Sequence, residues 1–150
     1  MAGKVEWLVR QRPIEGERAD EPKVGDYARR DVVFAPLEEP VGTVRERVAA
    51  SPYPFALVLS PGDVLLGRLR ASQLDCDPTL AAAEVMEPGP STVRPHRTAA
   101  GVARQLAERG LRWAIVTTPE GRLVGVAARD ELEAAATAYS VARRGGPDEP

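Results

Sequence analysis

The chain has 150 residues, 43% of them hydrophobic, which suits one compact domain or two small halves sharing a core and excludes separate cofactor and substrate lobes. Its 20 basic and 22 acidic residues nearly cancel, which argues against a duplex nucleic-acid partner, and aromatics at 5% are too few for a single-strand stacking platform. The one cysteine, Cys76, makes no internal disulfide and points to a reducing compartment; the one histidine, His96, excludes a His-rich metal centre and a two-His catalytic pair.

From the N-terminus, MAGKVEWLVRQR holds no apolar run of signal-peptide length. Val5, Trp7 and Val9 alternate as a short strand does, and Arg10 to Lys23 is charged, with Ile14 its only large aliphatic, as a flexible linker is. The longest uncharged stretch, Val48 to Gly62, contains three prolines and is too short to span a bilayer, so the expectation is a soluble, cytoplasmic protein with no membrane contact. Arginine supplies 18 of the 20 basic residues and alanine is abundant, which reads as coding bias.

Slid against itself by 58 positions, the sequence repeats. FALVLSPGDVLLGRLRASQL (Phe55 to Leu74) lies on WAIVTTPEGRLVGVAARDEL (Trp113 to Leu132) with six of 20 positions identical, where roughly one or two are expected by chance. Backwards in the same register, Val44 falls on Val102, Val48 on Leu106, and VGDYA (Val24 to Ala28) on AAEVM (Ala82 to Met86). The chain divides into an N-terminal extension (1–23), a first repeat (24–75), a linker (76–81), a second repeat with its C-terminal helix (82–142) and a disordered tail (143–150).

The second copy shows the elements best. Ser91 to Val93 is a short strand, Arg94 to Arg97 a loop, and Thr98 an N-cap. Ala99, Val102, Ala103 and Leu106 form a helical apolar stripe that Gly110 ends. Trp113 to Thr117 is a buried strand, Pro119-Glu120-Gly121 a tight turn, and Leu123 to Val126 the hairpin partner. A last helix runs from about Ala128 to Val141, with Leu132 and Tyr139 to pack. A βαββα half of this size buries too little to stand alone, so the two copies pack face to face.

The series Val85-Met86, Thr92-Val93-Arg94-Pro95, Gly110, Glu120-Gly121 and Gly125, taken in order and spacing, resembles the cystathionine-β-synthase-type (CBS) domain. The repeat as a whole, about Val24 to Glu133, resembles a CBS pair or Bateman module. The first copy departs from the pattern: no Val-x-Pro follows its strand, and Pro52 and Pro54 stand where a glycine-containing turn is usual.

The resemblance implies an α/β (α+β) fold of two βαββα repeats packed pseudo-symmetrically, and a non-catalytic regulatory or sensor role without a cofactor. It also implies a homodimer, an unidentified regulated protein as partner, and AMP, ADP, ATP or S-adenosylmethionine in a cleft between the repeats. In the family a hydroxyl and the helix N-terminus after the strand-ending glycine hold phosphate, and an Asp three residues on holds the ribose. Here those positions are Ala128 and Glu131 in the second copy and Arg70 and Gln73 in the first. Arg70 suits phosphate bidentately. Thr92, Val93, Arg112 and Ala114 complete the expected lining of the second cleft. The alternative is a ligand-free oligomerisation or protein-interaction module with degenerate nucleotide sites.

Other candidates read as structural. His96 has no neighbouring nucleophile or orienting acid and reads as a solvated loop residue. Cys76 lies between Asp75 and Asp77, which disfavour a thiolate. Asp75, Asp77 and Glu84 lack the spacing of a cation loop, and Gly121 and Gly125 read as a turn and a close backbone approach. Trp113 and Phe55, at equivalent strand starts, read as core anchors, with stacking on an adenine as the alternative. A Glu131–Arg112 acid–base pair is the only enzymatic reading, and it has no nucleophile beside it.

Overall fold

A computed structural model describes residues 21–148. The alternating segment Val5 to Val9 and most of the charged segment after it lie outside these residues. In chain order the elements are a 3-10 turn (Val24–Tyr27), β1 (Val33–Ala35), α1 (Val41–Ala49), β2 (Phe55–Leu59), β3 (Leu65–Arg70) and α2 (Ala71–Leu74). They continue with α3 (Ala82–Val85), β4 (Glu87–Pro88), α4 (Ala99–Glu108), β5 (Trp113–Thr117), β6 (Leu123–Ala128) and α5 (Arg129–Asp148). The fold is mixed α+β, with two similar halves, as expected.

The central strands explain the layering. All five residues of β2 are buried. Neighbouring residues of a strand face opposite ways. Ala56 and Val58 therefore join Val41, Val44 and Leu69 in one core, while Phe55, Leu57 and Leu59 face the other repeat. In β5, Ala114 and Val116 pack with Val102, Leu106 and Leu132, while Ile115 meets Phe55 and Leu57 between the sheets. Strands covered on both faces need unbroken apolar runs, which is what FALVL and WAIV are.

One sheet has the order β1-β2-β3-β4, with β1 parallel to β2 and the other pairs antiparallel. The antiparallel pair β5-β6 is extended by single bridges, Val93 to Val116 and Arg29 to Val126. The strand expected over Ser91 to Val93 is thus reduced to one bridge at Val93. Pro90 and Pro95 border it, and proline donates nothing to a ladder.

The segments that lead into each repeat are exchanged. Val24 N donates to Arg97 O at 2.8 Å, and 58 residues on, Ala82 N donates to Glu39 O at 2.8 Å. Gly25 N bonds Pro95 O at 3.0 Å, and Ala83 N bonds Leu37 O at 2.9 Å. Val24 is buried in the second repeat's core and Ala82 in the first's. β4, from the start of the second sequence repeat, pairs with β3 of the first, as Arg29 pairs with Val126. The units in space therefore differ from the units in sequence. The pseudo-twofold axis passes between Val64 and Arg122, which bridge each other; Leu65 N bonds Gly121 O and Leu123 N bonds Asp63 O, both at 2.9 Å.

Helix ends follow local chemistry. Thr98 Oγ1 accepts from Gly101 N at 3.1 Å to cap α4, and Gly110, at φ +68°, ends it. The two final helices differ. α2 is a single turn, because Asp77 Oδ1 takes the Thr79 N–H at 3.0 Å and hydroxyl at 2.7 Å, and Pro78 cannot prolong a helix. Those two bonds hold the Asp77 carboxyl below its ordinary range. α5 instead runs to Asp148, beyond the expected end at Val141 and through most of the segment expected as a disordered tail. Once nucleated, a helix gains a bond for each residue it adds, and Arg143 stacks on the Tyr139 ring at 5.7 Å one turn earlier.

Candidate ligand cleft

Leu69 of β3 points into the first repeat's core. The alternation of the strand therefore turns Arg68 and Arg70 toward the second repeat. Facing them, Leu111 and Arg112 lead into β5 at Trp113. Between these walls lies a cleft of about 500 Å³, bordered by Phe55, Arg68, Arg70, Leu111, Arg112 and Trp113. A recess of about 120 Å³ adjoins it, sharing Arg68, Leu111 and Trp113 and adding Thr92, Val93 and Arg109.

Trp113 anchors the floor. Its ring lies 4.8 Å from Tyr53 and 6.2 Å from Phe55, both edge-on, and the Arg112 guanidinium stands 5.9 Å from its centre. Arg68 donates through Nε and Nη2 to Glu87 Oε1 at 3.1 and 3.0 Å, and Arg70 Nη2 donates to Glu87 Oε2 at 3.1 Å. Glu87 sits on β4, so an exchanged segment supplies the cleft's counter-charge. Among the described residues, Arg109 and Arg112 have no carboxylate partner.

Of the residues singled out in the sequence, Arg70 and Arg112 border the cleft, and Thr92, Val93 and Ala114 border the recess. The second-copy residues thus meet the first repeat's arginines across the interface. Ala128, Glu131 and Gln73 line neither space. Glu131 accepts from Arg29 Nε at 3.2 Å and Nη2 at 2.6 Å, a forked pair that raises the Arg29 pKa. Gln73 Oε1 takes the Arg70 N–H at 2.8 Å and so caps α2. Ala128 ends β6 opposite Trp113, and the next N–H, of Arg129, goes to Arg112 O at 2.8 Å. Reasoning from the sequence missed Arg68, Arg109 and Leu111. The signal was in the 58-residue register, where Arg68 falls on Val126 and Arg109 on Ser51.

On the other side of the axis, Tyr53 is 5% exposed and its hydroxyl donates to Asp31 Oδ1 at 2.8 Å. Burial first, then that bond, pushes the Tyr53 pKa up to about 12. His96 is exposed in its loop, and Cys76 Sγ donates to Gln73 O at 3.2 Å. No helix among the described residues is long and apolar enough to cross a membrane.

Residues 82–136 match the family model for the CBS domain. No curated protein matches the chain. Among solved structures, the cytosolic domain of the Mg2+ channel MgtE in complex with ATP is 24% identical with a TM-score of 0.68, over 79% of this chain and 51% of that one. The chain therefore spans about half the length of that structure. CBSX2 in complex with AMP is 20% identical with a TM-score of 0.68, over 79% of this chain and 98% of that one; CBSX2 comes from Arabidopsis thaliana. The CBS domains of a transcriptional regulator from Streptococcus pneumoniae are 16% identical with a TM-score of 0.67, over 75% of this chain and 97% of that one. Residues 82–136 thus match a CBS domain, and the fold of the chain is that of CBS-pair proteins.

Proposed function

We propose that this chain is a CBS-pair regulatory or sensor module that takes an adenosine-containing ligand, AMP, ADP, ATP or S-adenosylmethionine, between its repeats. The observation that carries the reading is the cleft itself. It combines a partly exposed indole, Trp113, with the guanidinium groups of Arg68, Arg70 and Arg112 in about 500 Å³ between the two repeats. That pairing suits a planar base joined to an anion. MgtE and CBSX2, which share the fold, are known in complex with ATP and AMP. A bound ligand touches both repeats, and it shifts their relative geometry by as much as it favours one arrangement. That shift is read by a partner protein or across a homodimer.

The test is a thermal-shift panel with the four adenosyl compounds on protein stripped of co-purified ligand. At about 100 times its dissociation constant a ligand adds about 2.7 kcal/mol, a rise of roughly 5 to 10 °C at this size. One compound is expected to give that rise, and Arg112→Ala to cut it by roughly half, as a tenfold weaker site would. No shift with any compound overturns the reading. A ligand-free interaction module then takes its place, a reading favoured by Glu131 and Gln73, whose side chains are already engaged by Arg29 and the Arg70 N–H.

A further inference from the structure

The two sides of the pseudo-twofold axis carry opposite chemistry. Every arginine bordering the cleft or recess has an uncharged residue 58 positions away: Arg68 answers to Val126, Arg70 to Ala128, Arg109 to Ser51 and Arg112 to Pro54. Leu111, 41% exposed at the cleft mouth, answers to Tyr53, which is buried and tied to Asp31. Where the counterpart cleft would lie, Tyr53 and Val126 pack in the core between the sheets, and Arg29 is clamped by Glu131.

We infer that the chain binds one ligand, not two, and that this ligand is a polyanion of the nucleoside triphosphate class, its phosphate chain held by Arg68, Arg70, Arg109 and Arg112. The inference rests on the nucleotide reading for the base alone. Arg68 and Arg70 share one carboxylate, Glu87, and Arg109 and Arg112 have none among the described residues, so the four guanidinium groups bring three more positive charges than their one partner offsets. A phosphomonoester brings about two negative charges, and a triphosphate brings roughly two more to the same arginines. Each added charge is attracted by the whole set. The sulfonium of S-adenosylmethionine is repelled by it. The Arg70–Glu87 pair does not stand in the way: Arg70 is half exposed, and such pairs contribute little.

The experiment is isothermal titration of the full chain with ATP, AMP, S-adenosylmethionine and inorganic tripolyphosphate, at about 50 and 200 mM salt. The expected result is one ATP per chain, bound at least roughly tenfold tighter than AMP. The advantage shrinks at the higher salt, as screening demands. Tripolyphosphate competes with ATP. Arg109→Gln and Arg112→Gln, both at exposed positions, leave the melting temperature unchanged, weaken ATP roughly tenfold each and weaken AMP less. Two ATP per chain, AMP as tight as ATP, or preference for S-adenosylmethionine overturns the inference while the nucleotide reading stands. Arg112-dependent binding of tripolyphosphate with no gain from any adenosyl group supports the polyanion site and overturns the nucleotide reading. Binding of neither overturns both.

Discussion

Tyr53 packs a phenol into an otherwise apolar layer beside Phe55, Leu57 and Val126, with Asp31 accepting from its hydroxyl at 2.8 Å. A tyrosine in the unfolded chain loses its proton near pH 10. In the fold it keeps the proton to about pH 12, because burial and then the Asp31 bond favour the neutral form. The folded pKa is the higher one, so the group's stabilisation is complete below about pH 10. It is lost as pH rises from there to about 12. Denaturant unfolding at stepped pH is expected to show stability falling across that window in the parent chain, with a flatter profile in Tyr53→Phe. Identical slopes in both chains would contradict the buried, bonded hydroxyl.

The last strands of the two hairpins, β3 and β6, carry glycines at matching places, and each lies under an exchanged segment. A Cβ on Gly125 would stand 2.7 Å from Arg29 O and 2.9 Å from Arg29 N. Backbone cannot yield there, and Gly125→Ala is expected to cost roughly 1–3 kcal/mol. A Cβ on Gly67 would meet the Met86 Sδ at 2.5 Å and Glu87 O at 3.0 Å. The thioether end can move, so Gly67→Ala is expected to cost less. Urea midpoints for the two variants decide it, and equal losses would count against the difference. These elements show how far the sequence could be read. Strands β2 and β5 and helix α4 announce themselves through local features: an apolar run buried on both faces, the Thr98 cap, the Gly110 stop. The exchange was not legible, because Val24 and Ala82 offer the same apolar pattern whichever half they fill. In the site, Arg70 and Arg112 stood out at a helix start and a strand edge. Arg68 lies inside a strand whose counterpart residue is Val126, and in a chain with 18 arginines one more attracts no notice.

For the molecule as a whole, neither repeat owns a complete core. Residues 82–142 cut out alone would lack Val24 among Val102, Leu106 and Leu132, and would leave the outer edge of β6 without Arg29. The fragment is expected to melt without a cooperative transition by calorimetry or circular dichroism. Mixing it with a fragment covering residues 21–76 is expected to restore one. A cooperative transition in 82–142 by itself would show that the exchanged segment is dispensable.

The exchange also bears on how these chains meet one another. The second lead-in segment is joined to the repeat that accepts it by the short tether through Asp75 to Ala81, which keeps donor near acceptor at an effective concentration on the order of millimolar. Nothing in the acceptor's hydrogen bonds distinguishes a segment from its own chain from one lent by a neighbour. Crowded refolding therefore favours intertwined dimers, in which each molecule completes the other. Dilution alone, without denaturant, would separate such species slowly, because parting them means opening both cores at once.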